Sequence, residues 1–264
     1  MVTMGYGAAL IAGILWGLTP WLPVSDSGSF ATSLLSGFTG YGGYFIPAYL
    51  GALMAALYHF RNEISEGSRR LLFRDVRAEM RFLFYSSMFT LLVGFVLYAG
   101  LKARLSPVMA DAVNAVVGFL IMLCAFVGPL AGNINVKMKG HPDDPSLMDA
   151  IVSGIAQGFA AVSGLSRPAL TVGSLLAGGL RVKRALELSF MMAPVFMTLR
   201  LLFAGGSPPT LPMPVAFSAF LTAFVVSLLL MNGLLMLAEK LGDRRFSLLF
   251  GGTAVLVCVV GVIV

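Results

Sequence analysis

Charge is scarce in this sequence. Asp, Glu, Lys and Arg make up 11% of its 264 residues, less than half of the ~25% usual in a soluble domain. Between Met1 and Phe60 only one of them occurs, Asp26. With 58% hydrophobic residues, this excludes a soluble globule with one apolar tail and implies a chain that crosses a bilayer several times. Cysteine is nearly absent. Cys124 and Cys258 each sit in an apolar run, which excludes a disulfide framework or a cysteine metal centre and leaves packing roles. No basic residue precedes Arg61, so no cleavable signal peptide is expected. The formal charge of +6 fits loops near anionic lipid and does not require a nucleic-acid partner.

What is present is a set of apolar runs of membrane length. Six spans are expected, at 40–60, 82–100, 108–130, 186–204, 214–238 and 246–264. Of the 18 Lys and Arg, fourteen fall in 61–81, 131–148, 181–185 and 239–245, against two, Lys102 and Arg104, on the other side. That bias places loop 61–81 in the cytoplasm of a multi-pass plasma-membrane protein. Arg167 and Arg200 belong to no loop, and Arg200, near a span end, reads as snorkelling to the interface. Loop 61–81 mixes its six Arg with acids and reads as a solvated helical connection. HPDDP, residues 141–145, reads as a turn.

Segments 1–39 and 149–180 are left over. A helix over 6–19 reaches roughly 21 Å, short of a bilayer core of about 30 Å, and Pro20, Pro23 and Gly28 follow it. Residues 146–162 give a similarly short helix before SGLSRPA. Both segments are expected to enter and leave on one face as re-entrant hairpins, which protein or a watery cavity must surround. Sliding the sequence by 141 residues lays 13–37 over 154–178 with eight of 25 positions identical, including Gly13/Gly154, Gly17/Gly158 and the SLL block at 33–35 and 174–176. The fold expected is all-α and polytopic: six transmembrane helices plus two re-entrant helical hairpins in an inverted-topology repeat. Residues 1–130 form the first repeat, 131–148 a cytoplasmic linker and 149–264 the second repeat.

In this overlay Asp26 falls on Arg167, each the only charge at its hairpin tip. Ionisable groups at membrane depth default to function. Arg167 offers a planar fork suited to phosphate, Pro168 opens the next helix, whose free amides also favour an anion, and Ser25, Ser27, Ser29, Ser163, Ser166 and Thr171 add hydroxyls. The bland alternative is an Asp26–Arg167 salt bridge that pins the hairpins, with the serines as helix caps. Tyr49 and Asn232 could line a cavity, although one polar group in a span more often bonds a neighbouring helix.

These residues resemble a known family. GLTPWLPVSDSG (17–28) and SGLSRPALT (163–171) are similar to the two signature loops of the BacA-type undecaprenyl-pyrophosphate phosphatases, which read roughly E-G-x-T-E-F-L-P-x-S-S-[ST]-G-H and P-G-x-S-R-S-x-x-T. Gly17, Thr19, Leu22, Pro23, Ser25 and Gly28 match the first; Gly164, Ser166, Arg167 and Thr171 match the second. The resemblance covers the whole chain. It implies the inverted-repeat fold and removal of phosphate from a C55-type polyprenyl pyrophosphate, and the family has also been linked to flipping of the monophosphate. The family's two motif glutamates fall at Trp16 and Pro20, its histidine at Ser29, and the second serine of its pair at Asp26. The phosphate-holding set survives: Arg167, Ser166 and Thr171, with Ser25, Ser27 and Gly164.

The function expected first is binding of a polyprenyl phosphate-type carrier and transfer of its headgroup across the membrane without hydrolysis, with no cofactor and no metal ligands. The alternative is a divergent pyrophosphate phosphatase in which Asp26 is the catalytic acid, with Mg or Ca as the implied ion. The expected partners are that lipid and the bilayer, with no nucleic acid; a homodimer is compatible with either.

Overall fold

The computed structural model describes residues 5–25, 27–36, 41–72, 78–101, 105–135, 144–162, 164–204 and 211–263. All regular structure among them is helical: α1 (Tyr6–Leu18), α2 (Ser29–Ser36), α3 (Phe45–His59, after a 3-10 turn at Tyr41–Tyr44), α4 (Arg61–Leu72), α5 (Ala78–Val96, continued by a π turn at Leu97–Leu101), α6 (Pro107–Asn135), α7 (Leu147–Phe159), α8 (Arg167–Ala177), α9 (Val182–Leu202) and α10 (Met213–Ile263). Four stretches are long and apolar enough to cross a membrane: Ala78–Ala99, Pro107–Phe126, Val182–Leu202 and Met213–Gly261. The chain is an integral membrane protein by this measure.

Two departures from the expected spans have local causes. The expected loop 239–245 is a single-residue break at Gly242 (φ 71°) within α10. Its left-handed backbone, natural to glycine, splits α10 into two legs with no extended loop between them. The expected span 40–60 is a 15-residue helix, α3, about 22 Å long. Of the expected solvated connection 61–81, residues 61–72 form α4, whose Arg61, Asn62 and Glu63 are exposed, and 73–77 lie outside the described residues.

The helices approach closely because glycine and other small residues face one another, the usual basis of helix association in lipid. On α1, a Cβ at Gly13 would stand 2.8 Å from the carbonyl oxygen of Ala219, and one at Gly17 3.0 Å from Val226 Cβ, both on the first leg of α10. On α7, a Cβ at Gly154 would stand 2.5 Å from the carbonyl oxygen of Ser86, and one at Gly158 2.6 Å from Val93 Cβ, both on α5. Interhelical hydrogen bonds tie the same pairs: Ser227 Oγ donates to Gly17 O at 2.9 Å and Thr90 Oγ1 to Gly154 O at 3.1 Å. Where α6 crosses the second leg of α10, a Cβ on Gly118 would meet the carbonyl oxygen of Gly251, and one on Gly251 would meet that of Gly118.

The core carries α3 and α9 at its centre. Ala48, Tyr49, Ala52, Ala55 and Ala56 of α3 and Leu186, Phe190, Met192, Ala193 and Met197 of α9 are all buried. Pro194 lies inside α9. The short helices α1 and α7, thirteen residues each, deliver the two loops that meet beside α9.

Candidate functional site

The loop after α7 turns sharply into α8. Gly164 takes a positive φ of 105°, a backbone that disfavours other residues, and a Cβ there would reach Ala110 Cβ at 2.6 Å. Ser166 is the N-cap of α8, its side chain accepting from Ala169 N, and its own hydroxyl donates to the carbonyl of Leu22 at 3.2 Å. Arg167 and Pro168 are the first two residues of the helix; proline there forgoes no helical hydrogen bond.

Arg167 is the centre of the site. It is 4% exposed. One terminal nitrogen donates to the carbonyl of Pro20 at 2.6 Å, so the guanidinium joins the first loop to the second. The other donates to the carbonyl of Ser189 on α9 at 2.7 Å and approaches Gln157 Oε1 of α7 at 3.5 Å. The guanidinium lies 5.6 Å from the centre of the Trp21 ring, and its Nε has no hydrogen-bond partner among the described residues. Thr171 supports this turn from one helical turn on, donating to the Arg167 carbonyl at 2.9 Å and pairing with the Ser189 hydroxyl at 2.6 Å. The Thr171 hydroxyl is thereby engaged within the protein.

On the first loop, buried Ser25 accepts from the Ser27 amide at 3.1 Å, with the two hydroxyls 3.5 Å apart. Asp26 and Ser163 lie outside the described residues, and so does the alternative Asp26–Arg167 salt bridge. The described partners of Arg167 are carbonyl and amide oxygens.

Two residues that the sequence reading passed over fix both loops. Asp111 and Asn114 stand three residues apart on α6, both buried. Asp111 Oδ2 accepts from the Ser29 amide at 2.7 Å, the first amide of α2. Asn114 Nδ2 donates to Gly164 O at 2.8 Å, and its Oδ1 accepts from the Ser166 amide at 2.8 Å. The available signal was a carboxylate inside an otherwise apolar span with an amide on the same face one turn later.

Arg200, expected near a span end, stands in the last turn of α9. Its guanidinium lies 5.2 Å from the ring centres of both Phe45 and Tyr49, and it lines, with Thr19, Pro20, Tyr49, Ser166 and Arg167, a cavity of about 20 Å³. That volume suits about one water molecule, so a larger group requires the lining to part.

The comparisons with known proteins agree with the resemblance of the two loops. The family described as "Bacitracin resistance protein BacA" matches residues 9–256. This chain belongs to the BacA family. Among similar proteins, one from Haloarcula marismortui named undecaprenyl-diphosphatase is 28% identical over 94% of this chain and 95% of its own. A second from Methanopyrus kandleri, with the same name, is 28% identical over 94% of each. A third from Pseudomonas aeruginosa, again so named, is 30% identical over 90% of this chain and 86% of its own. Within this BacA chain, the positions where the resemblance puts glutamates are apolar and built in. Trp16 is buried edge-on to Phe45, with ring centres 5.6 Å apart, and Pro20 supplies the carbonyl that Arg167 holds.

Proposed function

We propose that this BacA-family protein binds the pyrophosphate headgroup of a polyprenyl lipid at Arg167 and releases its terminal phosphate. The carrying observation is a guanidinium buried where both signature loops meet, with a spare Nε–H and no carboxylate partner among the described residues. A phosphate supplies the compensating charge and accepts charge-assisted bonds in the geometry that guanidinium favours. The names of the relatives support the same lipid class. Ser166 and Gly164 shape the loop, Thr171 fixes the turn that carries Arg167, and Ser25 and Ser27 flank Asp26. Asp26 takes a proton from the attacking water. The bridging P–O bond of the terminal phosphoryl group breaks, phosphate leaves, and the monophosphate stays on the lipid.

A divalent ion would supply charge neutralisation in such chemistry. No group of three or more His, Cys, Asp or Glu among the described residues is placed to hold one, and Asp111 is engaged with the Ser29 amide, so an ion here would depend on Asp26 and on the phosphates of the lipid.

One observation favours a second reading, transfer of the headgroup across the membrane without hydrolysis. Trp16 and Pro20 leave no carboxylate at the two glutamate positions. The packing also supports the paired halves that such transfer uses. Gly154 and Gly158 follow Gly13 and Gly17 by 141 residues, while their neighbours Ala219 and Val226 follow Ser86 and Val93 by 133. Gly251 follows Gly118 by the same 133 and touches it. We therefore assign 1–130 and 149–264 as inverted repeats with re-entrant hairpins 1–39 and 149–180, and place loop 61–81 in the cytoplasm of a plasma-membrane protein by its charge.

Phosphate release from a polyprenyl pyrophosphate by purified protein, with and without divalent ion and beside Asp26→Asn, tests the first reading. Release that disappears in Asp26→Asn supports it. Absence of release from folded, lipid-binding protein, together with headgroup flux in liposomes, establishes the second.

A further inference from the structure

We infer that Gln157 is a positioning residue for Arg167: its amide oxygen fixes the direction of the guanidinium and, being neutral, leaves the positive charge for the headgroup; this rests on the lipid-phosphate reading of Arg167. Gln157 lies in the last turn of α7 and is fully buried. Its amide nitrogen donates to the carbonyl of Met192 on α9 at 3.0 Å and to the Thr90 hydroxyl on α5 at 3.2 Å. Thr90 in turn donates to Gly154 O at 3.1 Å, so its oxygen is the acceptor toward Gln157. Both N–H donors of the amide are thereby committed. The amide oxygen is left facing Arg167, whose Nη1 stands 3.5 Å away. Reversing the amide would set its nitrogen against the guanidinium nitrogen and its oxygen against the Met192 carbonyl, so the network admits one orientation.

A buried amide in a membrane protein most often bonds a neighbouring helix, and the bonds to Thr90 and Met192 do that. The third contact differs, because it falls on the cation where the two signature loops meet. Gln157 and Arg167 grip α9 side by side: Arg167 holds the carbonyl of Ser189, and Gln157 that of Met192, three residues on. The guanidinium nitrogen that binds Ser189 is also the one that approaches Gln157. Two acceptors therefore set its direction, and the long side chain loses its freedom to turn away. Charge matters as much. The described partners of Arg167 are all neutral oxygens. A carboxylate of the same size at position 157 would pair with the guanidinium and compensate its charge. The amide gives direction without compensation, and a cation at this depth is costly until an anion joins it. Arg167 is thus held ready before a phosphate arrives, which lowers the cost of ordering on binding.

The test is titration of the purified protein in micelles with farnesyl diphosphate. The variants are Gln157→Met, Gln157→Glu, Arg167→Lys, and Gln157→Met combined with Arg167→Lys. Gln157→Met, similar in size, is expected to weaken binding by about fivefold, the scale of one ordinary hydrogen bond. With Arg167→Lys, which keeps the charge without the fork, the same change should add less than about twofold, because Gln157 acts through that fork. Gln157→Glu should weaken binding by more than about tenfold, since the added carboxylate competes with the headgroup for the cation. A Gln157 that only joins helices predicts otherwise: Gln157→Met would weaken binding equally in both backgrounds, and that result overturns the inference. So does wild-type affinity in Gln157→Met, or a loss in Gln157→Glu no larger than in Gln157→Met. Wild-type protein that does not bind farnesyl diphosphate overturns the underlying site reading instead. Where the Gln157 variants unfold earlier without ligand, Thr90→Val decides. It removes the hydroxyl that receives the amide and leaves Gln157 in place. Binding should weaken about two- to threefold with Arg167 present and stay unchanged beside Arg167→Lys; any other pattern overturns the inference.

Discussion

Arg167 donates to the carbonyl of Pro20 across 147 residues of chain, at 2.6 Å. This bond, with the one from Ser166 Oγ to Leu22 O, closes the two signature loops on each other. A charged donor buried against backbone acceptors is worth roughly 1.5–3 kcal/mol per bond, and its removal leaves those acceptors without a partner.

Arg167→Gln is therefore expected to lower stability and remove anion binding together. The longer reach and second donor nitrogen are lost, so the carbonyls of Pro20 and Ser189 cannot both be satisfied. A decrease of roughly 2–4 kcal/mol is expected from two such groups, read as an earlier thermal transition in detergent. Affinity for an isoprenoid diphosphate should fall by about tenfold or more, the scale of one lost charged hydrogen bond from the spare Nε–H. A variant that unfolds earlier but binds lipid as before would make Arg167 a structural pin only.

Asn114→Ala separates loop geometry from charge. Asn114 holds both Gly164 O and the Ser166 amide, and alanine leaves two buried polar groups unpaired at roughly 1–3 kcal/mol each. Stability should fall, and lipid affinity with it, although no anion ligand has been removed. Asn114→Asp keeps the acceptor for Ser166 and loses the donor for Gly164, so it should lie between wild type and alanine. Unfolding scans and lipid titrations on the same samples check this order.

Much of this was readable from the chain, and the remainder was hidden for physical reasons. The short helices expected at 6–19 and 146–162 are α1 (Tyr6–Leu18) and α7 (Leu147–Phe159), because prolines and glycines end the apolar runs at their C-terminal ends. Arg167 stood out as a lone charge between apolar stretches. Asp111 and Asn114 did not, because hydropathy averages a span and conceals one carboxylate near its end. Arg200 reads from the sequence only as a cation near a span end; the rings beside it come from α3, some 150 residues earlier. Three basic residues around Gly242 suggest a loop, yet one left-handed residue suffices to break the helix.

Gly28 and Asp111 should behave as a coupled pair. A Cβ at Gly28 would fall on the Asp111 carboxylate, so Gly28→Ala must displace the group that caps the Ser29 amide. Each single change, Gly28→Ala or Asp111→Ala, is expected to destabilise, the second by about 1 kcal/mol for loss of a cap. In Gly28→Ala with Asp111→Ala the clash is gone, and the double variant should be more stable than the sum of the singles predicts by about 0.5–3 kcal/mol. Additive effects in a double-mutant cycle of unfolding free energies would show that the loop tip relaxes away from α6 at little cost.

The crossing of α6 with the second leg of α10 gives the plainest steric prediction. Alanine ordinarily improves a helix over glycine by about 1 kcal/mol. At Gly233, in the first leg of α10, nothing lies within 4 Å of an added Cβ, and Gly233→Ala should be neutral or stabilising. At Gly118 the same methyl would stand 2.5 Å from the Gly251 carbonyl oxygen and 2.8 Å from Ala254 Cβ. Neither is the end of a flexible side chain, so the helices must separate, and overpacking of this kind costs about 1–3 kcal/mol. Gly118→Ala should unfold several degrees earlier while Gly233→Ala does not. Because Asn114 lies one turn from Gly118 on α6, separation at the crossing also shifts the residue that holds Gly164 and Ser166. Lipid affinity should therefore drop in Gly118→Ala even below its unfolding temperature. Thermal scans and diphosphate titrations of the two variants side by side check both halves, and an unaltered Gly118→Ala would mean that α6 and α10 do not meet at Gly118 and Gly251 in the membrane.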